Sequence, residues 1–175
     1  MTNTSLVLTI LGTDRPGLVE SLARVVADHD ANWLESRMAH LAGHFAGILR
    51  VEVDQAKADA LATAIHAATD GQLDTLVHPD ATPAAPSENP LLVLDVLGHD
   101  RPGIIREITR VLSAAGVNVE ELATETRAAP NTGQPLFHAT AKLRLPTGAD
   151  EASLRAALED VAADLVVDVT LAMKS

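Results

Sequence analysis

Cysteine is absent from the 175 residues, which excludes disulfides and thiolate metal sites. Aromatic residues make up only 2% of the chain against 47% hydrophobic residues overall, so any core is aliphatic, alanine-rich and thin. A thin core argues for domains packed on each other or for a homodimer. Basic residues are scarce too: 13 Lys and Arg against 24 Asp and Glu leave a net charge of −11. Such a surface repels phosphate, and the few cations are scattered instead of gathered in a stripe, so direct nucleic-acid binding is not expected. Long apolar runs are also missing. The run Leu6–Leu11 has no positive charge ahead of it and stops at Gly12, which suits neither a membrane span nor a secretory signal. The expectation is a cytoplasmic protein without membrane contact.

The signatures of an enzyme are missing as well. Neither half of the chain has a strand followed by a long Gly-rich phosphate loop, no serine sits in a nucleophile elbow, and no Ser–His–Asp set suggests itself. His40 and His44 are four apart, but across an expected hairpin. His99 and His138 can converge in the second half, yet no carboxylate or cysteine cluster joins them. No catalytic residue, cofactor or metal is therefore assigned.

What the chain does contain is a duplication. Gly12-Thr13-Asp14-Arg15-Pro16-Gly17 follows an apolar run, and Gly98-His99-Asp100-Arg101-Pro102-Gly103 follows another, Leu91–Leu97, 86 positions on. At the same offset Asn32 falls on Asn118 and Glu35 on Glu121. Each apolar run reads as a central strand. Each glycine-bounded turn then opens a helix, with Asp14 as its expected N-cap and Pro16 in its first turn. Leu18, Val19, Leu22, Val25 and Val26 form the first helix's apolar stripe; Ile104, Ile105, Ile108, Val111 and Leu112 form the second's. A strand from about Asn32 to His40 turns at Ala42-Gly43 into Phe45–Val53, where alternate residues face inward. An Ala-rich helix, about 57–68, places Leu61 and Ile65 inward, breaks at Gly71 and leads to a short strand, 73–77. The order is βαββαβ, an α+β ferredoxin-like unit with one antiparallel sheet backed by two helices.

Residues 78–90 hold four prolines and read as a semi-stiff connector. The expected domains are 1–78 and 91–175, with the linker at 79–90. In the second copy Phe137 answers Phe45 at an offset of 92, which locates a six-residue insertion around 127–135, in the hairpin. Its second helix, about 150–162, places Leu154, Leu158 and Val161 inward, and its last strand runs about 165–171. Trp33 is assigned to the core or to a domain contact.

The repeated turn offers a definite chemistry. A helix start presents unpaired amides and the positive end of a dipole, which attract a carboxylate. Gly17 and Gly103 let a small ligand approach the backbone closely. Asn32 and Asn118 carry donor and acceptor together, and Asp14 and Asp100 can meet an ammonium. These are the parts that hold a small zwitterion. Each also has a plainer reading: the aspartates as caps, Arg15 and Arg101 as solvated cations, the glycines as packing sites and the asparagines as turn residues.

A βαββαβ unit with Gly-x-Asp-Arg-Pro-Gly at its first turn and Asn opening its second strand resembles the ACT domain, here twice over nearly the whole chain. Two such units with little else, and the hairpin 129–137, are similar to the group of glycine cleavage system transcriptional repressors. The resemblance implies a non-enzymatic regulator that senses a small amino acid, glycine or serine. It implies action through a LysR-type activator protein and not through DNA. The ligand residues it carries over are Asp14, Arg15, Gly17 and Asn32, and Asp100, Arg101, Gly103 and Asn118. Two other readings stay open: a ligand-independent interaction module, and a regulatory ACT protein for an amino-acid or one-carbon enzyme, as at the N-terminus of formyltetrahydrofolate deformylases.

Overall fold

A computed structural model describes residues 2–68, 73–80, 89–130 and 133–173. The chain divides into two compact units, residues 1–85 and 86–175. The first contains β1 (Asn3–Thr13), α1 (Leu18–Asp28), β2 (Asn32–Leu41), β3 (His44–Asp54), a 3-10 turn (Gln55–Lys57), α2 (Ala58–Ala68) and β4 (Leu73–Pro79). The second contains β5 (Leu91–His99), α3 (Ile104–Ala114), β6 (Asn118–Ala128), β7 (Pro135–Arg144), α4 (Glu151–Leu165) and β8 (Val167–Met173). The strand orders are β2-β3-β1-β4 and β6-β7-β5-β8, with every pairing antiparallel. Both units are α+β with the expected βαββαβ order. The break at Gly71 and most of the Pro-rich connector lie outside the described residues.

Period-2 alternation sets which side of each sheet meets the helices. Phe45, Leu49, Val51 and Val53 of β3 are buried with Leu6, Leu8 and Ile10 of β1, and α1 and α2 close the core with Leu18, Leu22, Leu61 and Ile65. In the second unit Leu92, Leu94, Val96 and Leu143 meet Ile104, Ile108, Leu154 and Leu158. Burying one such leucine is worth about 1.5–3 kcal/mol. The stripes are narrower than expected: Val19 is 45% exposed, and Ile105 and Val161 only pack against the core's edge. Trp33 is half-buried against the first unit's core.

The hairpins differ as expected. Leu41 pairs with His44 across a two-residue turn. Ala42 and Gly43 there have φ of 50° and 82°, the paired positive values of a type I′ turn, whose twist matches the strands. In the second unit Ala128 pairs with Pro135, so six residues span the loop, of which 131 and 132 lie outside the described residues.

Candidate functional site

Strand β1 ends at Thr13, and α1 begins only at Leu18. The N-cap of α1 is Gly17, at φ 87°, and that of α3 is Gly103, at φ 98°. Asp14 is therefore not the cap, which corrects the reading from sequence. Three further residues separate it from the helix, and its side chain lies 3.7 Å from His40 Nε2. The left-handed φ requires glycine at the corner, and the reversal lets the chain enter the helix without a side-chain oxygen at hand. Neither helix start has a side-chain cap hydrogen bond. The first amide to find a helical partner is Ser21, which donates to the Gly17 carbonyl at 2.9 Å; Glu107 does the same to Gly103 at 3.0 Å.

The corners are open. A β-carbon on Gly17 or Gly103 would meet nothing within 4 Å, and Asp14, Arg15, Asp100 and Arg101 are exposed around them. The backbone behind is fixed, because Asp14 N–H donates to the Gly43 carbonyl and Asp100 N–H to that of Pro135, both at 3.0 Å. The two arginines differ. Arg101 donates from Nη2 to the Asp164 carbonyl at 3.0 Å, in the last turn of α4, where a cation complements the helix end. Beside the second corner lies a concavity of about 470 Å³ bounded by Gly98, His99, Leu136, Val166 and Asp168.

The asparagines stand elsewhere. Asn32 pairs with Glu52, which pairs with Ser5, whereas Gly12 pairs with Phe45 at the opposite end of β1. Seven residues of strand separate the two levels, about 24 Å at roughly 3.4 Å per residue. Asn118 likewise pairs with Arg144 and through it with Leu91, seven residues before Gly98. Within one unit, then, the corner and the asparagine do not converge. The sequence held the clue: the 11 residues of α1 carry the chain about 16 Å along the helix axis before β2 starts. Asn32 instead borders a polar concavity with Asn3, Asp30, Glu52, Asp54 and Lys57, of which sequence reasoning singled out only Asn32.

His138 was set beside His99 as a converging pair, but its ring engages carboxylates. Nε2 lies 2.8 Å from Asp95 Oδ2, and Nδ1 3.4 Å from Glu125 Oε1. The hydrogen bond to Asp95 holds its pKa above the ordinary 6.5 despite some desolvation, with Glu125 adding to the effect. Among the described residues no group of three or more His, Cys, Asp or Glu is arranged to hold a metal, and no helix is long and apolar enough to cross a membrane.

Two ACT domain family models match, one over residues 4–78 and the other over residues 92–162. The chain is a tandem ACT-domain protein. It is 30% identical over 162 residues to the glycine cleavage system transcriptional repressor of Escherichia coli (strain K12), covering 91% of this chain and 85% of that one. The Shigella flexneri protein of the same name matches equally, at 30% over 162 residues. The crystal structure of an unknown protein from Galdieria sulphuraria, 29% identical, has a TM-score of 0.90 and covers 99% of this chain and 100% of its own. Kinship with a repressor along most of its length gives this tandem ACT protein a regulatory role.

Proposed function

We propose that this chain is an amino-acid-sensing regulator, with glycine or serine as ligand, that modulates glycine cleavage genes by contacting a LysR-type activator protein. The observation that carries the sensing step is the pair of uncapped helix starts at Gly17 and Gly103, open to solvent and free of side chains. Amides at such a start attract a carboxylate, and Asp14 or Asp100 nearby complements an ammonium. Asn32 or Asn118 binds both groups at once. Because corner and asparagine occupy opposite ends of a unit, a glycine-sized ligand does not touch both within that unit. The net charge of −11 favours action through a protein partner over DNA.

A ligand that binds only the folded chain stabilises it by about 2.7 kcal/mol at a hundredfold excess over Kd, or roughly 5–10 °C in melting temperature at this size. Thermal melting against the twenty amino acids tests the reading. Glycine or serine is expected to raise the midpoint; no shift with any of the twenty would overturn it.

A further inference from the structure

Each sheet turns one face to its helices and the other away from them, and the two outer faces differ in chemistry. In the first unit the inward residues of β1, β3 and β4 enter the core, so the residues alternating with them form the opposite face. Register arranges that face in rows across β2-β3-β1-β4. Ala39, Ala46, Leu11 and Asp74 make one row, and Arg37, Ile48, Thr9 and Leu76 the next. All of them are exposed, and Leu11, Ile48 and Leu76 are so by 47%, 53% and 62%. Ile48 and Leu76 are each diagonal neighbours of Leu11, a spacing of about 7–8 Å, so the three form one apolar patch. Between the corner residues Arg37 and Asp74, nothing in the two rows carries a charge.

The same rows of the second unit are mostly polar. Glu125, His138 and Asp168 stand at the places of Ala39, Ala46 and Asp74, and Thr140, Asp95 and Thr170 at those of Ile48, Thr9 and Leu76. There His138 bonds Asp95 and Glu125, and Thr140 shares Asp95, an arrangement suited to water. The fold therefore does not require an apolar outer face. A contiguous exposed patch of this kind marks an interaction surface.

We propose that the outer face of the first unit's sheet is the surface through which two copies of this chain pair, sheet against sheet. Three features select a second copy as the occupant. The first is size: four strands about 4.8 Å apart, over the length of a seven-residue strand such as β4, give about 450 Å² before side-chain relief is counted. A stable interface buries about 800 Å² per partner, so this face supplies most of one. The second is charge. A chain of net charge −11 repels its own kind, and the uncharged centre of this face is where two copies meet without bringing carboxylates together. The third is complementarity. Stacked sheets lie about 10 Å apart with their strands nearly aligned, and a two-fold axis along the strands lays β2 of one copy over β4 of the other. Leu11 then faces the partner's Ala46 and Ile48 faces the partner's Thr9, large against small. Arg37 lays its aliphatic stem on the partner's Leu76 and reaches the partner's Asp74 one row away. Within one copy Arg37 and Asp74 are three strand spacings apart, about 14 Å, so they pair only between copies.

Sedimentation velocity of the full chain at tens of micromolar tests this, the expected mass being twice the chain's 18.3 kDa. Ile48→Glu and Leu76→Glu are each expected to raise the dimer Kd tenfold or more. Thr140→Glu, at the second unit's counterpart of Ile48, is expected to change it less than twofold. The carboxylate introduced by Ile48→Glu lies across from Arg37 in its own sheet, an opposite-charge pair that the monomer accommodates, and circular dichroism confirms that each variant is folded. Arg37→Asp should weaken the dimer, and Arg37→Asp combined with Asp74→Arg should restore it. A wild-type chain that stays monomeric would overturn the proposal. So would a dimer that survives both glutamate variants, a loss as large in Thr140→Glu, or a double reversal that restores nothing. None of these readouts involves an amino acid, so the sensing reading stands or falls separately.

Discussion

Two residues show how narrowly backbone geometry constrains side-chain choice here. Val166 caps α4 at φ 53°, in the left-handed region that a β-branched residue occupies only under strain. It is 75% exposed, so little burial compensates. Val166→Gly is therefore expected to stabilise the chain by about 1 kcal/mol, read as a rise in the melting midpoint; a fall would mean that the valine makes a contact its exposure does not reveal. Gly98 is the opposite case. A β-carbon there would lie 2.5 Å from Val167 Cγ1 and 3.1 Å from Val167 Cα, so relief requires β8 to move away from β5. Gly98→Ala should cost about 1–3 kcal/mol, measured by urea unfolding. His138 adds a pH signature. Asp95 and Glu125 face its ring, Thr140 shares Asp95 at 3.3 Å, and Arg127 opposes the charged form. Its folded pKa lies above 6.5, so its stabilisation is complete below that value and is lost as pH climbs through the raised one. His138→Gln should flatten that part of the stability profile, with variant and wild type converging at alkaline pH.

At the scale of elements, the helix starts divide into two kinds. Asp150 caps α4 by accepting from the Ala152 and Ser153 amides at 3.2 and 3.0 Å and from Ser153 Oγ at 2.6 Å, whereas α1 and α3 have no such cap. The Ser153 hydroxyl first, then the Ser153 and Ala152 amides, hold the Asp150 carboxyl below the ordinary 3.8. That contribution is present above pH 3.8 and is lost as pH falls through the lowered value. Asp150→Ala is expected to lower the melting temperature by roughly 2–4 °C at neutral pH, with the deficit shrinking in strong acid. The duplicated turns, the element order and the six-residue hairpin insertion are legible in sequence, because each depends on neighbours along the chain. The Asp14 reading failed because Pro16-Gly17 interposes a left-handed corner, and a helix-start aspartate cannot be told from a loop aspartate by spacing alone. The irregular steps at Leu34 and Glu120 and the contrast between Lys57–Asp30 and Arg144–Glu120 depend on register. Pairing partners 20 or more residues apart, such as Asn32 with Glu52, carry no periodicity that would reveal them.

For the whole molecule, the sign of the charge separates two ways of regulating a gene. A protein that grips DNA directly neutralises phosphates with lysine and arginine and releases counterions; 13 such residues against 24 carboxylates leave little to do this with. Several of those cations are already engaged: Arg50 is 2.8 Å from Asp80, Lys142 is 2.5 Å from Glu121, and Arg144 is bound to Glu120. The expected outcome is that the chain alone does not shift a labelled glycine cleavage promoter at low micromolar concentration and 150 mM salt. Added with the LysR-type activator, it should alter the activator's complex, and glycine should change the amount of chain needed to do so. Anisotropy on the same DNA, with each protein alone and then together, separates the cases. A salt-sensitive shift by the chain alone would show that a local cationic surface outweighs the global charge, and the activator would then be unnecessary to the mechanism.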